Sequence, residues 1–226
     1  MKRLYLTVEG QTEARFAVEV LQVHLCAFNV FLFGPRFTGP HGRRGGRIPQ
    51  GGMFNTFRHI QEDIRRWLLE DQSPDARFSM MVDLYSLPED FPGYEAAQTI
   101  VDPLARATYL EQALGQELND PRFLPYLQVH EFEALILSRP DIVGELYEAS
   151  AAAVTQLVAD CAAFPSPEHI DHGQHSHPKA RVRACFPDYD ENVAGPLLCG
   201  MLGLAFLRET CLHFGEWLDL LESLDT

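Results

Sequence analysis

The sequence predicts an α/β chain, a mostly parallel sheet flanked by helices over residues 1–140, with a helical C-terminal portion over 141–226 packed on it. Three observations predict this. Short β-rich runs alternate with helix-period segments in the first part, which implies βαβ units with right-handed crossovers. One of those runs, RFSMMVDL at 77–84, is apolar almost throughout and marks a central strand buried on both faces. From about Ile142 the pattern is mainly helical, interrupted by a Pro/His-rich stretch at 165–178.

The elements follow in order. Lys2 to Val8 alternates and is rich in β-formers, so it is strand one, ended by Glu9-Gly10. Thr12 is the N-cap candidate for a helix from about Glu13 to Ala27, with Phe16, Val20, Val23 and Ala27 as its apolar face. Asn29 to Phe33 is strand two. The run GPRFTGPHGRRGGRIPQGG at 34–52 is too Gly-rich to be regular. A helix from about Asn55 to Glu70 turns Phe57, Ile60, Ile64, Trp67 and Leu68 to one side. Strand three is Phe78 to Leu84. After a Pro-rich loop come a helix at about Leu104–Leu118, strand four at Phe123–Val129 and a short helix at Glu131–Ser138.

Composition narrows the class. The 226 residues are 46% apolar and include 15 Phe, enough for a packed core. No run of about 18 apolar residues occurs, so no membrane span is expected, and the N-terminus does not read as a signal peptide. Five cysteines without a CxxC pair argue for reduced, mostly buried thiols and a cytoplasmic setting. Neither they nor the histidines of EHIDHGQHSH (168–177) have recognised zinc spacing. A net charge of −14, from 18 Lys plus Arg against 32 Asp plus Glu, argues against duplex binding through a broad basic surface. It leaves room for a local basic loop beside bound metal.

Ligands of open α/β sheets bind beyond the carboxyl ends of the strands. Strand one ends at Glu9, with Glu13 opening the next helix. Strand three ends at Asp83. Strand four ends at His130-Glu131, with Glu133 two residues on. Carboxylates there suit a hard cation, Mg²⁺ or Mn²⁺, that keeps places for phosphate oxygens. Glu9, Asp83, Glu131 and Glu133 are the candidate metal ligands, and Glu9, Glu13, Asp83 and His130 the candidate catalytic groups, His130 as a proton shuttle. Taken singly, each acid has a plainer reading as a helix cap or solvated charge. Asp83 resists it, because it follows the buried run SMMV. Arg43, Arg44 and Arg47 of the Gly/Arg loop, and Lys179 and Arg181 after Pro178, are candidate phosphate contacts for a nucleic-acid substrate. In DLYSLPEDFPGY, Tyr85, Asp90, Phe91 and Tyr94 either close over a site or pin a long loop.

VEGQTE (8–13), VDLYSLPEDFPGY (82–94), DPRFLPYLQVHEFEALIL (120–137), AFPSPEHI (163–170) and FPDYDENVAGP (186–196) resemble, in order and nearly end to end, the bacterial family called domain of unknown function 4276. The resemblance implies a TOPRIM-like fold, metal-dependent nuclease activity and a place in phage-defence modules beside an ATPase protein partner. The TOPRIM pattern has a Glu after strand one, matched by Glu9, and an Asp-x-Asp after strand three, whose first acid is Asp83. The second falls on Tyr85, which is no ordinary Mg²⁺ ligand. Two readings follow: a Mg²⁺- or Mn²⁺-dependent nuclease, or a non-catalytic domain docked on an ATPase.

Overall fold

A computed structural model describes residues 1–37, 56–170, 173 and 175–225. Arg43, Arg44 and Arg47, the expected phosphate contacts of the Gly/Arg loop, lie outside the described residues.

The sheet is parallel throughout. β1 (Lys2–Val8) and β4 (Ala76–Asp83) pair along most of their lengths. β2 (Val30–Leu32) pairs with the start of β1, and β3 (Arg36–Phe37), which the sequence did not announce, pairs with its end. On the far side of β4, the expected fourth strand is split into β5 (Phe123–Leu124) and β6 (Leu127–Gln128). Pro125 lacks a backbone N–H for the ladder, which accounts for the break. The order is therefore β2–β1–β4–β5, with β3 and β6 extending the outer strands.

Both faces are covered, as the apolar run in β4 requires. Phe78, Met80 and Val82 cluster with Ile60, Ile64 and Trp67 of α3 (Phe57–Glu70), with Ala97 of α4 (Tyr94–Ala97) and with Leu110 and Leu114 of α5 (Pro103–Leu118). Asp102 caps α5 by accepting from the Ala105 N–H at 2.9 Å, and Pro103 takes the first helical position. On the opposite face Leu4, Leu6, Val8 and Met81 join one cluster with the first helix and the C-terminal helices.

That first helix differs from expectation at its start and along its face. Its N-cap is Gly10, not Thr12, and the Glu13 carboxylate accepts the Gly10 N–H at 2.8 Å. α1 (Gln11–Phe16) runs through a π turn (Ala17–Leu21) into α2 (Gln22–Leu25). The wider turn advances the buried face to Phe16, Leu21 and Leu25, and Val23 is left 71% exposed.

The C-terminal portion consists of α7 (Ala151–Cys161), α8 (Pro178–Cys185), α9 (Glu191–Leu202), α10 (Leu204–Thr210) and α11 (Leu212–Glu222), preceded by α6 (Glu133–Ile136). α9 lies close on the start of α1. A Cβ on Gly195 would meet Thr12 Cγ2 at 2.9 Å and Phe132 Cε1 at 3.1 Å, so only glycine permits this approach. α11 is tied to the sheet by polar groups as well as apolar ones. The Glu168 carboxylate accepts the His213 and Phe214 N–H groups, each at 3.0 Å, and so satisfies donors at the α11 N-terminus. Trp217 donates to Ser79 of β4 at 3.0 Å and stacks on Tyr126, 4.2 Å between centroids.

Of the five thiols, Cys199 and Cys211 are buried but Cys26 is exposed. Among the described residues no single helix is long and apolar enough to cross a membrane. The α9–α10 pair passes by length and composition but is bent by 88°.

Candidate active site at the strand ends

The carboxyl ends of β1, β4 and β6 lie side by side, because the strands are parallel neighbours in register. Glu9 leaves β1 and reaches across to β4. Its Oε2 accepts the Asp83 N–H at 3.2 Å and the Ser86 hydroxyl at 2.7 Å. Asp83, the last residue of β4, is 7% exposed, and its Oδ1 is buried without a hydrogen-bond partner. Beyond β6 the backbone of His130 turns left-handed, φ +59°, a conformation uncommon outside glycine. Its carbonyl accepts the Tyr85 N–H at 3.4 Å, which joins the turns after β4 and β6. That turn sends both Glu131 and Glu133 inward, each 1% exposed.

The C-terminal portion closes the site from the side. Glu131 Oε1 accepts the Lys179 N–H at 2.5 Å and lies 2.7 Å from His177 Nδ1 at the start of α8. His177 Nδ1 is also 3.4 Å from the Ala180 nitrogen. One ring nitrogen cannot donate to the carboxylate and accept from an amide at once, and the shorter contact decides the matter. The shorter contact is the stronger one, so Nδ1 is engaged with Glu131 and Nε2 is the ring nitrogen left over. Glu131 Oε2, like Asp83 Oδ1, has no hydrogen-bond partner. Glu133 accepts the Tyr189 hydroxyl at 3.3 Å, and the Lys179 ammonium lies 4.0 Å from it and 3.5 Å from Glu191.

Four buried carboxyl groups and the half-buried Glu9 crowd this space, and their protonation reflects it. Burial raises the Asp83 carboxyl well above its ordinary value, reinforced by the charges of Glu9, Glu13, Glu131 and Glu133. Burial lifts Glu9 to about 7 against the hydrogen bond from Ser86, and Glu13 adds to the rise. Glu133 reaches about 8, again through burial, although Lys179 pulls it down. Glu13 is raised for the same first reason. Burial and mutual repulsion therefore favour the protonated form of these four carboxyl groups.

The donors are carboxylate oxygens, the chemistry of a hard divalent ion. Two of them, on Asp83 and Glu131, are buried without a hydrogen-bond partner, and such a donor set would suit a hard cation. Among the described residues, no three groups already stand at ligand spacing around one point. Tyr85, two residues beyond Asp83, is 57% exposed. Its hydroxyl is pushed up to about 12 by burial and by the Asp83 and Glu131 charges, so it stays neutral.

The structure thus brings together Glu9, Glu13, Asp83, Glu131 and Glu133, with His130 at the same turn. It uses the other expected residues differently. Lys179 faces the acids as their internal counter-charge. Arg181 donates to the Ser176 carbonyl at 2.5 Å and lies over the Phe164 ring, 5.2 Å from its centroid. Of the proline-rich loop, Asp90 accepts the Phe57 N–H at 2.7 Å at the start of α3, and Phe91 is buried against Phe57. That loop is pinned, and Tyr85 alone of its named residues faces the acids. Sequence reasoning missed Ser86, Glu191 and His177. For His177 a signal existed, since Pro178 at the first helical position marks the residue before it as the cap.

Among solved structures, the chain aligns with the C-terminal region of the Burkholderia pseudomallei OLD protein over 100% of both chains, at 17% identity and a TM-score of 0.47. It aligns with the C-terminal region of the Xanthomonas campestris pv. campestris OLD protein over 97% of both, at 14% identity and a TM-score of 0.36. No curated protein matches the chain. The family model described as Domain of unknown function (DUF4276) matches residues 8–222, and the chain belongs to that family.

Proposed function

We propose that this protein is a metal-dependent nuclease that hydrolyses phosphodiester bonds of nucleic acid at the carboxylate cluster. The observation that carries this reading is the meeting of Glu9 and Asp83 at adjacent strand ends, with buried Asp83 and Glu131 oxygens left unpartnered. Glu9 and Asp83 would hold Mg²⁺ or Mn²⁺, with Glu131 or Glu133 completing the set. A cation so held supplies Lewis-acid stabilisation of charge developing at phosphorus. The chain's own residues do the rest. Ser86 and the Asp83 amide orient Glu9. Lys179 offsets part of the acidic charge that would repel a phosphate. Glu131 holds the His177 ring through Nδ1 and so fixes its orientation.

The test is cleavage of labelled DNA and RNA in Mg²⁺ and Mn²⁺, with calorimetry of Mn²⁺ binding beside it. Glu9→Gln and Asp83→Asn should each lower cleavage at least about 100-fold, the scale of losing one transition-state stabilising group. Both should weaken Mn²⁺ binding while the circular dichroism spectrum stays unchanged. Undiminished cleavage by both variants would defeat the proposal. The second reading, a non-catalytic partner of an ATPase, draws on Tyr85 at the second acid position and on the net charge of −14. It expects no Mn²⁺ binding and stable co-purification with such a partner.

A further inference from the structure

We propose that Tyr85, with the His177 ring beside it, forms an aromatic platform that stacks an unpaired base, and that the substrate is single-stranded nucleic acid. The inference rests on the nuclease reading and deepens it. The two rings are nearly parallel, 21° apart in plane, with centroids 6.5 Å apart. They come from different parts of the fold, the turn after β4 and the start of α8, yet meet beside the acid cluster. His177 is held to Glu131 at 2.7 Å, and Tyr85 follows Asp83 by two residues. Tyr85 is an exposed aromatic among residues that are otherwise buried or half-buried here, and its ring belongs to neither core cluster.

The surrounding charge favours the same conclusion. A protein that grips duplex DNA neutralises phosphates along a basic surface. Here the described cations beside the cluster are engaged, Lys179 with Glu133 and Glu191, and Arg183 with Glu191 at 2.7 Å. Among the described residues these cations are already paired, so a further source of affinity is needed at the cluster. Aromatic stacking provides it without sequence preference, because every base has a π-face, but the base must be out of the duplex.

The experiment is fluorescence anisotropy with the full chain and Ca²⁺, using a short labelled single strand, the same strand with an abasic site, and the matching duplex. Wild type should prefer the intact single strand to both. Tyr85→Ala should weaken single-strand binding about 5- to 100-fold, the range for losing one base–aromatic stack, while Tyr85→Phe should bind like wild type. Equal affinity of wild type and Tyr85→Ala, a preference for duplex, or no binding of any strand overturns the platform. Cleavage is read separately on gels. A chain that stacks bases but cuts nothing overturns the nuclease reading and leaves the platform. A chain that cuts, with Tyr85→Ala bound as tightly as wild type, does the reverse.

Discussion

At the scale of single residues, this protein keeps acids where water cannot solvate them. Glu9, Asp83 and Glu133 each bind protons more tightly in the folded chain than in an unfolded one. A carboxyl whose pKa is raised on folding makes the native state relatively more stable at low pH, and that advantage fades as pH rises through the gap. For Glu9 the gap runs from 4.5 to about 7, and for Glu133 from 4.5 to about 8. His213 works in the same direction. Its bond to Glu111 at 2.8 Å raises it above 6.5 despite burial, so its contribution is present below that value and lost as pH rises through the raised one. Lys179 is raised above 10.5, so its contribution is constant across this window. Stability should therefore fall from about pH 5 to about pH 8, and Glu133→Gln should raise Tm by a few degrees at about pH 8 with little effect at about pH 5. Thermal melts across that range decide it. A Tm that climbs with pH in wild type would mean the acids are not buried together.

At the scale of elements, junctions matter more than helix propensity. The turn after β6 takes a left-handed residue, His130, and so delivers Glu131 and Glu133 into the cluster instead of into solvent. Behind the acid cluster, Glu168 plays an architectural part. It is fully buried, and burial raises its carboxyl, opposed by the two amides it accepts from. Glu168→Ala would strand the His213 and Phe214 N–H groups at the start of α11. The expected loss is about 1–3 kcal/mol for each donor left unsatisfied, measured by urea denaturation. Since Glu168 lies outside the acid cluster, Mn²⁺ binding by the folded fraction should be unchanged.

At the scale of the whole molecule, one apolar cluster runs from Leu4, Leu6 and Val8 of β1 to Phe214, Leu218 and Leu221 of α11. A chain ending at residue 140 would expose that face of the sheet, and it should aggregate or lose native circular dichroism. A soluble, cooperatively melting 1–140 fragment would show that the C-terminal helices are an accessory. The same dependence extends to the site, because His177, Lys179 and Tyr189 reach the acids from the C-terminal portion. The sequence by itself determined the two long strands, the parallel sheet and the acids at its edge, since alternation, apolar runs and strand-end positions are local signals that the chain carries in order. Local pattern could not reveal the π turn that moved the first helix's buried face, nor the split of the fourth strand. Only the tertiary structure decided that Lys179 faces inward, that Asp90 and Phe91 pin a loop, and that His177 meets Glu131 and Tyr85. Those pairings join residues far apart along the chain, and they arise from packing between elements that no periodicity encodes.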